Sequence, residues 1–334
     1  VQNKLGKYEI WREIGKGAMA VVFEGYDADT PRIVAIKAIK KTSFDKSEIE
    51  EVFSRFRRES QVASKLHHPN IVTLYGYGEE DDMAYIVMER LMGKVLVELI
   101  DQDKLFTIGE LANIMRQTLD ALTYAHEAGV VHRDIKPANI FIGDDGVIKI
   151  VDFGIAKIES SVLTARGFVM GSPFYMSPEQ YVGNNIDGRS DIYSSGVLLY
   201  QLLTSCLPLV AKNLSAAIDK IMHEIPLPPS HLRPGYISKE MDDVVLKALA
   251  KKPEDRFQSA SEFSRAIDRA AVTSIKLAEK AGTTTRSILP PEVAKFIKTQ
   301  QLHEHAVSFG EITQVNIDEF EKRLAQAKQE LNEN

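Results

Sequence analysis

One cysteine, Cys206, in 334 residues sets the first limits on this chain. It excludes an intramolecular disulfide and any metal site built from clustered cysteines. Cys206 falls within the apolar run Leu202–Leu209. A small buried core residue is therefore expected there, not a reactive thiol. So little cysteine fits a reducing compartment, and a cytoplasmic location is the expectation. No run approaches the roughly 20 apolar residues of a membrane span. The opening Val1-Gln2-Asn3-Lys4 is polar and carries no signal-peptide pattern. The chain does not begin with methionine, so a fragment of a longer protein and membrane attachment past Asn334 both stay open. Positive charge is neither in excess nor clustered. A net charge of −6 argues against nucleic acid as the main partner, and scattered Lys and Arg leave no polybasic membrane patch. Internal repeats and low-complexity tracts are missing too.

What is present is ordinary for a globular protein: 44% hydrophobic and 26% charged residues, enough to build a normal core. The length suits two domains, or one two-lobed domain with an appendage. Strand-like patterns occupy Tyr8–Ile14, Ala20–Tyr26 and Arg32–Ile39, where β-branched and aromatic residues alternate or cluster. A helix is expected from about Ser47 to Leu66, with Ile49, Val52, Phe53, Phe56 and Ser60 on one face, and His68-Pro69 stops it. The runs Ile71–Tyr77 and Ala84–Glu89 bring the small sheet to five strands.

After Gly93 the texture turns helical. Thr107 and Glu110 have capping-box spacing ahead of a helix bearing Leu111, Ile114, Met115, Leu119 and Leu122. Short apolar runs at Gly129–Val131, Ile140–Ile142 and Val147–Val151 interrupt the helices. Further helical patterns cover Asp187–Thr204, Leu214–His223, Lys239–Ala250 and Ser259–Ala270. Sheet first and helices second predicts an α+β protein with a cleft between two lobes. Beyond residue 271 the pattern weakens through Gly282-Thr283-Thr284-Thr285. Pro290-Pro291 opens another expected helix, and Ile317, Phe320, Leu324, Ala327 and Leu331 form a short apolar stripe. That stripe suits a helix docked on its own domain or a dimer contact.

Chemistry enters with Gly15-Lys16-Gly17-Ala18-Met19-Ala20-Val21-Val22. Such a loop lets backbone N–H groups approach a phosphate, although Gly15 and Gly17 would equally serve a plain hairpin. Strands on both sides make it a lid over a sheet, unlike a dinucleotide fingerprint or a Walker loop. Lys37 ends Val34-Ala35-Ile36-Lys37. It is either a solvated head on a buried stem or a cation holding nucleotide phosphates, with Glu59 as its acidic brace. Arg57 and Arg58 beside Glu59 also suit a plain surface role for that carboxylate. The decisive cluster is His132-Arg133-Asp134-Ile135-Lys136-Pro137-Ala138-Asn139, followed by Asp152-Phe153-Gly154. Metal-assisted phosphoryl transfer needs such a set. One carboxylate takes the proton of the attacking hydroxyl, oxygen ligands hold a hard cation, and an amine offsets charge on the moving phosphoryl group.

These motifs, in this order, resemble the protein kinases, of the eukaryotic-like (Hanks-type) serine/threonine kind found in bacteria. The resemblance covers roughly residues 8–270. It implies a two-lobed α+β fold: an N-terminal five-stranded antiparallel sheet with one helix (8–91), a larger helical lobe (92–270) and a helical extension (271–334). It implies ATP and Mg²⁺ as cofactors, with Mn²⁺ as a substitute. Ile14, Val22, Ala35 and Phe141 would sandwich the adenine below the Gly15 and Gly17 loop. Met88 would be the gatekeeper, and Glu89 and Leu91 would offer backbone hydrogen bonds. Lys37, paired with Glu59, would hold the α- and β-phosphates. Asp134 would act as catalytic base, Lys136 would contact the γ-phosphate, and Asn139 and Asp152 would bind the metal. Glu179 would pair with Arg256, and Asp191 would brace the catalytic loop.

Lys136-Pro137-Ala138-Asn139 resembles the serine/threonine form of that loop. Gly171-Ser172-Pro173-Phe174-Tyr175 resembles the segment that receives a polypeptide substrate, which sets small-molecule kinases aside. Ala20, Ser172 and Ser177 depart from the usual residues without touching a catalytic group. A pseudokinase would lack Lys37, Asp134, Asn139 or Asp152, and all four are present. Arg133 beside Asp134 implies control by autophosphorylation of the loop after Gly154, at Thr164 first, then Ser160 and Ser161. Protein substrates are the expected partners, with a homodimer through the lobes or the C-terminal helix.

Overall fold

The computed structural model describes residues 4–17, 20–41, 49–153, 173–183, 185–209, 211 and 213–282. The alternating residues of the first 89 positions form an antiparallel sheet of six strands, one more than expected. They are β1 (Lys4–Leu5), β2 (Tyr8–Lys16), β3 (Ala20–Asp27), β4 (Arg32–Lys40), β5 (Leu74–Glu80) and β6 (Met83–Glu89), in the order β1-β2-β3-β4-β6-β5. The added strand is two residues long, too short to show a period. Gly6, at φ +59°, turns the chain so that Leu5 pairs with Tyr8. Leu5 is then buried with Tyr8, Val34, Ile36, Ala38, Tyr85 and Val87 under one face of the sheet.

The helix α1 (Ile49–Ala63) packs Phe53 and Phe56 against the other face, with Ala35, Ile86 and Met88. The strand expected at Ile71 starts at Leu74 instead. Residues 70–72 exchange backbone hydrogen bonds with Ile150, so this segment couples the large sheet to a second, smaller one.

The second sheet contains β7 (Gly93–Val95), β8 (Ile140–Gly143) and β9 (Ile148–Ile150). The helices are α2 (Leu96–Asp101), α3 (Ile108–Glu127), α4 (Pro178–Val182), α5 (Gly188–Thr204), α6 (Leu214–His223), α7 (Pro229–Leu232), α8 (Lys239–Ala248) and α9 (Ala260–Ala281). Gly129–Val131 is not a strand. It closes α3 with a Schellman turn, in which Val130 N–H donates to Ala125 O and Gly129 N–H donates to His126 O. Gly129 takes the left-handed conformation that this turn needs, at φ +74°.

The helix α5 is buried on nearly every side, as expected of an element in the middle of a helical core. Cys206 lies in that core. The helix α9 continues past residue 270 without a break. Ala271, Ser274 and Ala278 bury its second half, and Ser274 Oγ donates to Ser238 Oγ at 3.0 Å. Small and polar contacts of this kind leave little hydrophobic periodicity in the sequence. The expected helices beyond Pro290 lie outside the described residues.

Thr107 caps α3 as its spacing predicts. Its Oγ1 accepts from Glu110 N–H at 3.1 Å, while Glu110 Oε2 accepts from Thr107 N–H at 2.8 Å. Thr107→Ala removes one side of this reciprocal pair. Urea melts should show a loss of about 1 kcal/mol, with the slope of the transition unchanged.

Candidate active site

The β2–β3 hairpin carries the glycine-rich loop. Gly15 pairs with Val22 and Lys16 with Val21, while Gly17 N–H donates to Ala20 O at 2.8 Å. Ala18 and Met19 lie outside the described residues. Cross-strand register sets Val22 beside Lys37 and Ala35 beside Met88. Ile14, Val22 and Leu91 pack against the cluster that holds Ala35 and Met88. Phe141 belongs to the other sheet, on β8, opposite Lys149 and Val95.

Lys37 is buried, with its Nζ 2.8 Å from Asp152 Oδ2, so its head is not the solvated end of a surface lysine. Burial alone would push the Asp152 carboxyl up. The charge and hydrogen bond of Lys37, with lesser help from His132 and Lys136, hold it below its ordinary value. Asp152 thus stays ionised at neutral pH. Glu59 sits on α1, but its side chain lies outside the described residues.

The loop after α3 is fixed from beneath. Asp191, fully buried on α5, accepts from His132 N–H at 2.9 Å and from Arg133 N–H at 2.7 Å. Its Oδ2 also lies 2.8 Å from His126 Nε2. Burial pushes the Asp191 carboxyl up, but the His126 contact, with lesser help from His132, brings it below its ordinary value. His126 is invisible to sequence reading because a single histidine on a helix face carries no pattern. Arg133 adopts φ +71° and Asp152 φ +64°. Both lie in the left-handed region, which costs a non-glycine residue on the order of 1 kcal/mol or more.

His132 links the two motifs. Its Nδ1 accepts from Asp134 N–H, which leaves Nε2–H to donate to Val151 O at 2.9 Å. Its ring meets Phe153 edge to face at 4.6 Å.

Above this base three polar groups converge. Lys136 Nζ lies 2.7 Å from Asp134 Oδ2. Asn139 Nδ2 donates to both Asp134 O and Asp134 Oδ2 at 2.8 Å. Its amide nitrogen is thus committed, and Asn139 keeps Oδ1 as an acceptor. Val151 N–H donates to Asn139 O at 3.0 Å, which sets Asn139 alongside the strand that leads to Asp152. Two oxygen donors of this kind, one amide and one carboxylate, fit a hard divalent cation.

A model of the protein kinase domain matches residues 8–266. The chain belongs to the protein kinase family. It is 39% identical over 303 residues to the serine/threonine-protein kinase PrkC of Bacillus subtilis, covering 90% of this chain and 46% of that one. It is 39% identical over 277 residues to the serine/threonine-protein kinase pkn3 of Myxococcus xanthus, covering 79% and 50%. The serine/threonine-protein kinase PknB of Mycobacterium leprae is 38% identical over 263 residues, covering 77% and 42%. The chain thus spans half or less of the length of these relatives. Protein kinases generally use ATP and Mg²⁺, and the oxygen donors Asn139 and Asp152 suit that metal.

The kinase also shows the second buried contact implied by its motifs. Arg256 forks onto Glu179, Nη1 to Oε1 at 2.7 Å and Nη2 to Oε2 at 2.8 Å. Thr164, Ser160, Ser161, Gly171 and Ser172 lie outside the described residues. Among the described residues no helix is long and apolar enough to cross a membrane.

Proposed function

We propose that this chain is a serine/threonine protein kinase that transfers the γ-phosphoryl group of ATP to serine or threonine of protein substrates in the cytoplasm. The observation that carries the reading is the convergence of Lys136 and Asn139 on Asp134, beside the Lys37–Asp152 pair. In this reading the substrate hydroxyl attacks the γ-phosphorus, the bond to the β–γ bridging oxygen breaks, and ADP leaves. Asp134 orients the hydroxyl and takes its proton. Lys136, whose Nζ meets Asp134 Oδ2, would contact the γ-phosphate. Lys37 holds the α- and β-phosphates with Glu59 behind it. Asn139 and Asp152 hold Mg²⁺, or Mn²⁺ in its place, and the ion supplies charge neutralisation along the triphosphate. Ile14, Val22, Ala35 and Phe141 enclose the adenine under the Gly15 and Gly17 loop, near Met88, with Glu89 and Leu91 offering backbone groups.

We assign residues 8–91 and 92–270 to the two lobes and 271–334 to an extension that regulates, docks or dimerises the kinase. Control by autophosphorylation at Thr164, Ser160 or Ser161 is supported by Arg133. Its Nε is buried without a hydrogen-bond partner among the described residues, a costly state that a loop phosphate would relieve.

Incubation with γ-labelled ATP, Mg²⁺ and a general acceptor protein tests the reading. Label should appear on serine and threonine, and chelation of the metal should abolish it. Label on tyrosine alone, or no transfer by the folded chain, would overturn it.

A further inference from the structure

We propose that Glu24 and Arg90 form a latch between the roof of the nucleotide cleft and the hinge, as positioning residues that set the affinity for ATP. The proposal rests on the kinase reading above.

The register of the large sheet places Arg12, Glu24, Ala35 and Met88 in one cross-strand row. Residues paired across strands share a face of the sheet. Glu24 therefore lies on the face that carries Ala35 and Met88, and Val22, two residues before it on β3, points the same way. Its carboxylate accepts from Arg90 Nε at 2.8 Å and from Arg12 Nε at 2.6 Å. The two arginines differ in setting. Glu24 and Arg90 are 12% and 22% exposed, whereas Arg12 is 66% exposed. Solvent and salt screen the Arg12 pair, so it contributes little. The Arg90 pair is shielded, and Arg90 stands in the connection between the lobes, where its guanidinium also donates to Leu91 O.

The preceding residue is tied the other way. Glu89 Oε1 accepts from Lys149 Nζ at 2.6 Å and from Thr73 N–H at 2.7 Å. Lys149 lies on β9, directly paired with Phe141 on β8. Successive residues of opposite charge thus bind the hinge to the floor of the cleft through Glu89 and to its roof through Arg90. With the floor fixed, the Glu24–Arg90 contact limits how far β2 and β3 lift from a bound base.

The test measures binding of a fluorescent ATP analogue, kcat and KM for ATP, and Tm in the full chain. Its variants are Arg90→Gln, Glu24→Gln, Arg12→Gln and the reversed pair Glu24→Arg with Arg90→Glu. Arg90→Gln and Glu24→Gln should each weaken nucleotide binding and raise KM by about fivefold, the scale of a shielded ion pair, with kcat at saturating ATP unchanged. Arg12→Gln should match the parent, and the reversed pair should recover most of the loss. Equal effects from Arg12→Gln and Arg90→Gln, or a joint fall in kcat and Tm, would reduce the pair to a general structural role and overturn the latch. A parent that binds nucleotide while Arg90→Gln binds equally well also overturns the latch and leaves the kinase reading standing. A parent that binds no nucleotide overturns both.

Discussion

Asp134→Asn is expected to lower kcat for phosphoryl transfer by roughly 10²–10⁴-fold, the range for loss of a positioned general base. KM for ATP should change little. The substitution keeps the size of the side chain and an oxygen to accept from Lys136 Nζ and Asn139 Nδ2, now 2.7 and 2.8 Å away. Asp191, below, holds His132 and Arg133 through backbone N–H groups that the substitution does not touch. The fold and the oxygens of Asn139 and Asp152 therefore persist, and only the capacity to take a proton is lost. Steady-state rates with labelled ATP, read beside nucleotide binding, check this. Equal rates in parent and variant would move the base to another residue.

Arg256→Met is expected to destabilise the kinase by about 3–5 kcal/mol, as when one partner is removed from a buried ion pair. The Arg256 side chain is wholly buried, and each of its three nitrogens is engaged. Besides forking onto Glu179, it donates to Ala250 O and Lys251 O at 2.8 Å and to Arg189 O at 2.9 Å. Methionine fills similar space but strands the Glu179 carboxylate and three carbonyls.

The loss should depend on pH. Burial pushes the Glu179 carboxyl up, but Arg256 and the Ser190 hydroxyl bring it below its ordinary value in the folded chain. A depressed folded value means that this stability is present above the unfolded value, about 4.3, and is lost as pH falls through the folded one. Without Arg256, burial alone raises the folded value, so the variant loses stability as pH rises. The gap between parent and variant should therefore widen from about pH 4 toward neutrality. Urea melts across that range measure it, and a gap that narrows would contradict the ion-pair account.

Asp134 and Arg256 differ in how far the sequence alone accounts for their contacts. Asp134, Lys136 and Asn139 lie within six positions, so their mutual contacts follow from local spacing and a tight loop. The capping box at Thr107 and the strands of the hairpin around Gly15 and Gly17 are local in the same sense. Other features leave no local trace. The strand at Lys4–Leu5 has no period to detect, and the second half of α9 is packed by Ala271, Ser274 and Ala278 instead of a large apolar stripe. The polar ties of the hinge are equally hidden. Glu24 and Arg90 stand 66 positions apart, and Glu89 and Lys149 stand 60 apart. A charged residue on a strand looks like any solvated one until its partner is placed.

By itself the sequence determined which chemical groups this kinase carries and the order in which the chain presents them. Near neighbours meet because the backbone leaves them little choice. The tertiary structure alone decided that Lys37 reaches Asp152 across 115 residues, and that Asp191 lies beneath the loop holding Asp134. Those contacts depend on how strands and helices pack. Packing is the outcome of many weak apolar contacts summed over the whole chain, which no short motif encodes.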